Sequence, residues 1–259
     1  MRTRMAERPR EPETERERCR TGLEGLDNLL NGGIPRGNTV LVTGSVGTGK
    51  TSLSVEFLIH GARTGENSLF ISVTESSEKL LANLIHYDFF EPRLLKEGRL
   101  IFTDLPLIYE RLGLDKPEFD LQDTFVLTKV IIDLVREMKT KRLVIDSVTS
   151  VCYRLKTQEN IRQFVLDLGT ALSGLGCTTI LVSEISPGSE RYSLFGVEEA
   201  IADGIIIMSN LERRGDLLRT LQIVKMRGTT HSRAKYVLDL TPVGVLLVPL
   251  LKGGSVATG

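Results

Sequence analysis

Several short segments of the chain are continuously apolar instead of alternating between apolar and polar residues. They are Thr39–Val42, Ser68–Val73, Leu100–Thr103, Leu143–Ile145 and Thr179–Val182. Strands with this pattern are buried on both faces, as in a parallel sheet that is covered by helices. The pattern therefore predicts an α/β fold with a mainly parallel central sheet flanked by helices.

Segments with helical spacing of apolar residues connect these strands. Helices are predicted at about residues 23–30, 50–62, 77–87, 122–139 and 158–173. After Asp203 the helical patterns fade, and successive strands are predicted at 204–209, 218–226, 235–240 and 244–248. We therefore expect C-terminal antiparallel strands to extend the parallel sheet.

Two segments do not follow these patterns. Asp104–Asp120 contains Pro106 and Pro117 and is predicted to be an irregular surface insertion. Residues 1–18 are rich in Arg and Glu and are predicted to be a charged, disordered tail, because almost nothing there could be buried. The tail is either a dispensable extension or an arm that binds a partner, and residues 19–259 form the predicted domain.

The composition excludes some classes of protein. With 33 basic and 33 acidic residues, the formal net charge of zero argues against a protein that mainly coats nucleic acid. The three cysteines, Cys19, Cys152 and Cys177, lack the spacing of a metal site, and their low, odd number favours a reducing cytoplasm. No apolar run approaches the roughly 18–20 residues that a membrane helix needs, so no membrane association is expected.

A glycine-rich segment follows the strand predicted at Thr39–Val42. It fits the phosphate-loop (Walker A) pattern G-x-x-x-x-G-K-[ST] and consists of Gly44, Ser45, Val46, Gly47, Thr48, Gly49, Lys50 and Thr51. The glycines allow a tight turn whose backbone N–H groups converge on phosphate oxygens at the start of the next helix. Lys50 is expected to reach the β- and γ-phosphates of ATP and Thr51 to ligate Mg²⁺, with Ser52 beside them.

A carboxylate follows another of the predicted strands. Asp146 comes directly after Leu143–Ile145, where a Walker B aspartate stands, and is expected to hold the Mg²⁺ ion through water. The alternative is an aspartate that only caps the segment after it.

Further motifs resemble those of a known family. Thr21–Asp27 and Gly32–Gly37 resemble the opening motif of the KaiC family in the RecA superfamily, and Ile145–Ser150 resembles its Walker B segment. Lys225–His231 resembles its C-terminal Lys-x-Arg-Gly signature. With one copy of each motif, the chain is identified as a single-domain KaiC-like ATPase, which implies a RecA-like P-loop NTPase fold.

The resemblance implies a homo-oligomeric ring, commonly a hexamer, with ATP held between subunits. One subunit supplies the phosphate loop, and its neighbour supplies Lys225 and Arg227 at the γ-phosphate, with Met226, Thr229 and His231 close by. Cations delivered in this way stabilise the charge that develops in phosphoryl transfer. Taken alone, the same residues could be a solvated basic edge of a late strand.

The sequence departs from the family pattern after the second strand, where the family has two adjacent glutamates. Here the pair is Thr74 and Glu75, so the first glutamate is missing. Glu75 is expected either to activate the attacking water or to cap the helix that starts near Ser76. Slow hydrolysis is therefore expected.

Two other positions bear on the chemistry. Glu184 ends a predicted strand where RecA-like proteins place a γ-phosphate sensor, although it could equally be a solvent-facing loop residue. The segment Gly196–Ala200 aligns with the autophosphorylated segment of the second KaiC domain but carries no hydroxyl, so autokinase activity is not expected.

These observations lead to three functional hypotheses. The first is a slow ATPase whose ring switches protein partners in signalling or regulation. The second is an ATP-binding scaffold without hydrolysis. The third is a RecA/RadA-like protein acting on DNA, which Arg213–Arg214 and the basic run Lys225–Lys235 allow. The zero net charge makes the third hypothesis the least favoured.

Overall fold

Strands and helices alternate along most of the chain in the computed structural model, which describes residues 16–111, 124–189 and 191–250. The strands are β1 Arg18–Cys19, β2 Ile34–Pro35, β3 Thr39–Gly44, β4 Ser68–Ser72, β5 Leu100–Asp104, β6 Arg142–Asp146, β7 Thr178–Glu184, β8 Gly204–Arg213, β9 Asp216–Met226, β10 Lys235–Thr241 and β11 Gly244–Pro249. The helices are α1 Glu24–Leu29, α2 Lys50–Arg63, α3 Ser77–Leu84, α4 Pro92–Lys96, α5 Leu105–Arg111, α6 Thr124–Glu137, α7 Val148–Leu155, α8 Gln158–Gly174 and α9 Glu198–Ile201.

The main sheet has nine strands in the order β11-β10-β9-β8-β3-β7-β6-β4-β5. Strands β3 to β8 pair in parallel, and β9, β10 and β11 continue the sheet in antiparallel fashion. This arrangement confirms the predicted sheet, which is mainly parallel and has antiparallel strands at its C-terminal side.

Both faces of the sheet are covered. In β3, Val40 and Val42 pack in one hydrophobic cluster with α1, α2, α3 and α4, whereas Leu41 packs in a second cluster with α5, α6, α7 and α8. Side chains of a strand alternate between its faces, so two covered faces require a continuous apolar run. This explains why the predicted strands were not alternating.

The N-terminal boundary differs from the prediction. Arg18 pairs with Pro35, and the Arg36 N–H donates to the Glu17 carbonyl over 2.8 Å. The folded part of the chain therefore begins before residue 19, because backbone pairing needs no apolar side chain. Residues 1–15, which make up the rest of the predicted tail, lie outside the described residues, as do residues 251–259.

The prediction of irregular structure over Asp104–Asp120 is wrong for its first part. Leu105–Arg111 forms α5, with Leu105 and Ile108 buried against the sheet. Pro106 lies in the first helical turn, where the missing N–H costs no intrahelical hydrogen bond. Residues 112–123 lie outside the described residues.

Other helices differ in detail. α3 ends at Leu84 and not at residue 87, and the short helices α4, α7 and α9 were not predicted. No helix in the described parts of the chain combines the length and the apolar character that crossing a bilayer requires. Cys19, Cys152 and Cys177 are all buried free thiols.

Candidate nucleotide-binding site

The predicted phosphate and metal ligands meet at one edge of the sheet. Gly44, which ends β3, pairs with Glu184 at the end of β7, and Ser72 pairs with Asp146. Parallel strands all have their carboxyl ends at the same edge, so the segments that follow them converge there. Binding sites of open α/β sheets lie at this edge.

The phosphate loop leads directly into α2. Gly49 is the N-cap of the helix at φ 94°, and Gly47 has φ 77°, both conformations that favour glycine. The Thr48 hydroxyl donates to the Ser45 carbonyl over 2.9 Å and closes the turn. The first N–H groups of α2 have no intrahelical acceptor, so they are available to phosphate oxygens.

The Lys50 ammonium is folded back into the loop. Its Nζ donates to the Gly44 and Ser45 carbonyls, each over 2.9 Å. Burial lowers the Lys50 pKa below its usual value, and the nearby charges of Glu184 and Asp146 only partly oppose this effect. An ammonium has three N–H donors, so within the part of the chain that the structure describes one remains for a phosphate oxygen.

Thr51 and Asp146 form a pair that fits Mg²⁺. The Thr51 hydroxyl donates to Asp146 Oδ2 over 2.7 Å, which places a hydroxyl and a carboxylate, both hard oxygen ligands, side by side. Burial raises the Asp146 pKa, while the hydrogen bond from Thr51 and the Lys50 charge oppose that rise. Thr51 would hold the ion directly and Asp146 through water, and the ion would neutralise phosphate charge.

A cavity of about 400 Å³ contains these groups. Its walls are formed by Val46, Gly47, Gly49, Lys50, Thr51, Ser52, Phe70, Ser72, Thr74, Glu75, Leu80, Asp146, Glu184, Arg219 and Leu240. The structure therefore brings most of the predicted phosphate and metal residues together with Glu75, the candidate catalytic base, and Glu184, the candidate γ-phosphate sensor.

Glu75 does not cap the following helix. Ser76 is the N-cap of α3, and its side chain accepts from the Lys79 N–H over 3.3 Å. The capping interpretation of Glu75 is therefore wrong, because a serine one position later fulfils that role. The Glu75 carboxylate lines the cavity and lies 3.7 Å from the Lys79 ammonium.

Glu184 faces the cavity from the end of β7. Its backbone N–H donates to the Thr149 hydroxyl over 2.9 Å, which ties the strand end to α7. The side chain is exposed, lines the cavity and is close enough to Lys50 and Asp146 to affect the pKa of each. The sensor role of Glu184 stays a prediction.

Two residues of the site were missed by the sequence analysis. Arg219 Nε donates to the Gly47 carbonyl over 2.9 Å, so a cation from β9 reaches the phosphate loop of the same chain. Leu240 of β10 lies so close to Gly49 that an added Cβ there would be 3.1 Å from it. Neither residue belongs to a sequence motif, and only the pairing of β9 and β10 with the sheet brings them here.

The C-terminal signature lies at the opposite edge of the sheet. In β9, Arg219 pairs with Asn210 near the phosphate loop, whereas Lys225 pairs with Ile205, next to the start of β3. Six residues of extended strand separate Arg219 from Lys225, a distance of roughly 20 Å. Lys225 and Arg227 therefore cannot contact a nucleotide held in the cavity of their own chain.

Other residues of that signature have structural contacts. The Met226 side chain is buried in the core, so only its backbone remains available to a nucleotide. The Thr229 hydroxyl donates to the carbonyls of Leu30 and Thr230, and His231 Nδ1 lies 3.3 Å from the Ser232 carbonyl oxygen. The segment thus packs against the end of α1.

Comparison with known families decides the classification. A family model described as "ATPase: KaiC" matches residues 19–252 of this chain. The chain belongs to the KaiC ATPase family. This membership supports ATP binding by the phosphate loop described above.

Relatives within the KaiC ATPase family differ in length. A UPF0273 protein of Pyrococcus furiosus is 34% identical over 92% of this chain and 98% of its own length. The circadian clock oscillator protein KaiC of Nostoc sp. is 34% identical over 90% of this chain but only 44% of its own length. The crystal structure of a KaiC-like protein from Pyrococcus horikoshii superposes with a TM-score of 0.76 at 34% identity, covering 90% of this chain and 99% of that one.

The opening motif of the KaiC ATPase family is structural in this chain. Asp27 Oδ1 accepts hydrogen bonds from the Thr21 N–H and the Thr21 hydroxyl, at 2.7 and 2.8 Å. Gly22 has φ 87° and lies against the His60 side chain of α2, where a Cβ would clash. These contacts fix α1 against the phosphate-loop helix without entering the cavity.

Proposed function

We propose that the protein is a slow cytoplasmic ATPase that works as a homohexameric ring with one nucleotide at each subunit interface. Each site combines the phosphate loop of one subunit with Lys225 and Arg227 of its neighbour. The nucleotide state then controls how subunits pack, and the ring acts as a switch for a protein partner.

One observation carries this proposal. The two cations of the C-terminal signature lie at the edge of the sheet opposite their own phosphate loop, roughly 20 Å along β9 from Arg219. Head-to-tail packing of identical subunits sets one edge of a subunit against the other edge of the next. In such a ring the cations of one subunit face the phosphates held by its neighbour.

The proposed chemistry divides between the two subunits. Lys50 and Arg219 bind the phosphates from the phosphate-loop side. Thr51 and Asp146 would hold a Mg²⁺ ion, which would offset the negative charge of the phosphates. Glu75 takes a proton from the attacking water. We expect slow turnover, because Thr74 stands where the family has the first of its two adjacent glutamates.

Complementation between two inactive variants tests the shared site. Lys50→Ala removes a group on the phosphate-loop side of the interface, and Arg227→Ala removes one on the neighbour's side. Each pure variant should lose nearly all phosphate release. If equal amounts of the two are unfolded, mixed and reassembled, about a quarter of the interfaces pair an intact loop with an intact Arg227, and turnover should reappear in that proportion.

The matched control mixes Lys50→Ala with the double variant Lys50→Ala/Arg227→Ala, in which no interface is complete. Recovery is expected only in the first mixture. Full turnover in the pure Arg227→Ala variant would contradict the proposal. So would a mixture of Lys50→Ala and Arg227→Ala subunits that is as inactive as either variant alone. Light scattering with and without a non-hydrolysable ATP analogue tests the hexamer.

A second candidate function is a non-hydrolysing ATP-binding scaffold. It is favoured by Thr74, which lines the cavity where a carboxylate could stand, and by the Lys79 ammonium near the remaining Glu75. Tight ATP binding without phosphate release would support it. Thr74→Glu should then create turnover, whereas Thr74→Gln, of the same size but uncharged, should not.

A further inference from the structure

The two cations of the C-terminal signature are held by the same short helix. Lys225 Nζ donates to the carbonyls of Ala202 at 2.6 Å and of Glu199 and Ala200 at 3.4 Å each. Arg227 Nη1 donates to the Ile201 carbonyl at 3.3 Å. Four consecutive carbonyls at the C-terminal end of α9 therefore hold both cations, together with Asp203 Oδ1, which lies 3.4 Å from Arg227 Nη1.

The chain just after the C-terminal end of α9 is fixed to the central sheet. The Asp203 N–H donates to the Thr39 carbonyl over 2.8 Å, and Asp203 Oδ2 accepts from the Thr39 N–H over 3.0 Å. The Arg227 N–H in turn donates to the Asp203 carbonyl over 2.8 Å. The junction of α9 and β8 is thus anchored on the first residue of β3.

At its N-terminal end, α9 is tied to the preceding loop by the Glu199 carboxylate. Glu199 Oε2 accepts from the Tyr192 N–H at 2.9 Å and from the Ser193 hydroxyl at 3.2 Å. Ser193 is fully buried, and its hydroxyl also accepts from the Gly196 N–H at 3.1 Å. These bonds tie α9 to the loop that leaves β7 after Glu184.

We propose that Glu199 is a positioning residue for the reaction at the neighbouring subunit. Its carboxylate fixes α9, and the carbonyls of α9 hold Lys225 and Arg227 where they reach the neighbour's phosphates. This inference rests on the proposed function, since it concerns the same shared site. Glu199 itself touches no phosphate and acts only through the two cations.

The prediction for Glu199→Ala follows from the lost hydrogen bonds. Bonds to a carboxylate are stronger than neutral ones, so turnover should fall about tenfold while the ring still assembles. Glu199→Gln keeps a carbonyl oxygen that accepts both donors and should recover most of the activity. Glu159→Ala removes an exposed glutamate from the first turn of α8 and serves as the control that leaves turnover unchanged.

Mixed rings separate positioning from a general structural defect. If Glu199 acts through Lys225 and Arg227, its defect lies on the cation side of the interface. Glu199→Ala subunits should then regain turnover when mixed with Lys50→Ala subunits, and should gain nothing from Arg227→Ala subunits. A variant that is merely misfolded would complement neither.

The outcomes distinguish this inference from the proposed function. Lys50→Ala subunits that recover turnover with Arg227→Ala subunits but not with Glu199→Ala subunits would overturn the role of Glu199 and leave the proposed function standing. Full turnover in Glu199→Ala would also overturn it. If Glu199→Ala does not fold, Ser193→Ala serves in its place, because it removes one donor to the Glu199 carboxylate. It should lose less turnover than Glu199→Ala and show the same complementation pattern. Unaltered turnover in Ser193→Ala would overturn the inference.

Discussion

The Thr51 hydroxyl donates a 2.7 Å hydrogen bond to Asp146 Oδ2, joining the start of α2 to the end of β6. Both oxygens belong to the group of ligands that Mg²⁺ prefers. Asp146→Asn keeps the shape but removes the negative charge. We expect it to weaken ATP binding in the presence of Mg²⁺ about tenfold, or ~1.4 kcal/mol, as measured by titration calorimetry.

The same titration without Mg²⁺ is the control for this variant. The loss should then be much smaller, because the nucleotide-binding contribution of the Asp146 charge comes through the metal. An equal loss under both conditions would show that Asp146 acts on the fold of the loop and not on the ion.

The stability of the nucleotide-free protein should depend on Asp146 and pH. Burial raises the Asp146 pKa in the folded state, so the folded state binds its proton more tightly than the unfolded state does. Stability is therefore lost as pH rises from the unfolded value of about 4 through the raised folded value. Asp146→Asn cannot ionise, so its advantage in urea unfolding should grow over this range.

Asp239→Asn is the matched control for the pH dependence, because Asp239 is an exposed residue of β10. As a surface substitution, it should leave the unfolding free energy within about 0.5 kcal/mol of the wild-type value. If Asp146→Asn does so as well, the buried carboxylate has no measurable cost in the folded state.

Arg219 connects β9 to the phosphate loop through the Gly47 carbonyl, at 2.9 Å. Arg219→Ala removes that bond and a cation from the wall of the nucleotide cavity. We expect the dissociation constant for ATP to rise about tenfold, since hydrogen bonds to charged groups contribute roughly 1.5–3 kcal/mol. Calorimetry measures this change directly.

Arg162→Ala, which removes an exposed arginine of α8, controls for the loss of positive charge in general. Its ATP affinity should match the wild-type value. Comparable weakening in both variants would point to long-range electrostatics instead of a local contact at Gly47.

Two glycines with positive φ should respond differently to substitution. Gly33 has φ 120°, and an added Cβ would lie 2.5 Å from the Cys19 carbonyl oxygen, whereas Gly98 has φ 67° and open space around it. Gly98→Ala should cost only about 1 kcal/mol of conformational strain. Gly33→Ala should cost about 3 kcal/mol or more, because the β1–β2 pairing must also shift.

Urea unfolding of both glycine variants gives the comparison. Equal costs would show that the close approach of Gly33 to β1 is relieved easily. A larger cost at Gly98 would contradict the conformational argument altogether.

The phosphate loop and Asp146 could be predicted from sequence because each is a local feature. A loop of fixed spacing determines its own backbone turn, and a residue that directly follows a parallel strand lies at the carboxyl edge wherever that strand is placed. Helix α5 could not be predicted in the same way. Pro106 indicates irregular structure, and only the burial of Leu105 and Ile108 against the sheet favours the helix.

Glu75 shows where local patterns leave alternatives open. Its position before Ser76 was consistent with a helix cap as well as with a catalytic base. The structure excludes the cap, since Ser76 accepts the Lys79 N–H, and leaves the carboxylate in the cavity wall. Its part in hydrolysis remains a prediction.

The sequence by itself determined the family, the phosphate-binding turn and which polar residues follow the parallel strands. Each of these depends only on short-range spacing or on where a strand ends. Only the tertiary structure decided that Arg219 reaches its own phosphate loop, and that Lys225 lies at the other edge of the sheet against the Ala202 carbonyl. These contacts join segments far apart in the chain, and the pairing register of β8 and β9 sets them, a quantity that no local pattern encodes.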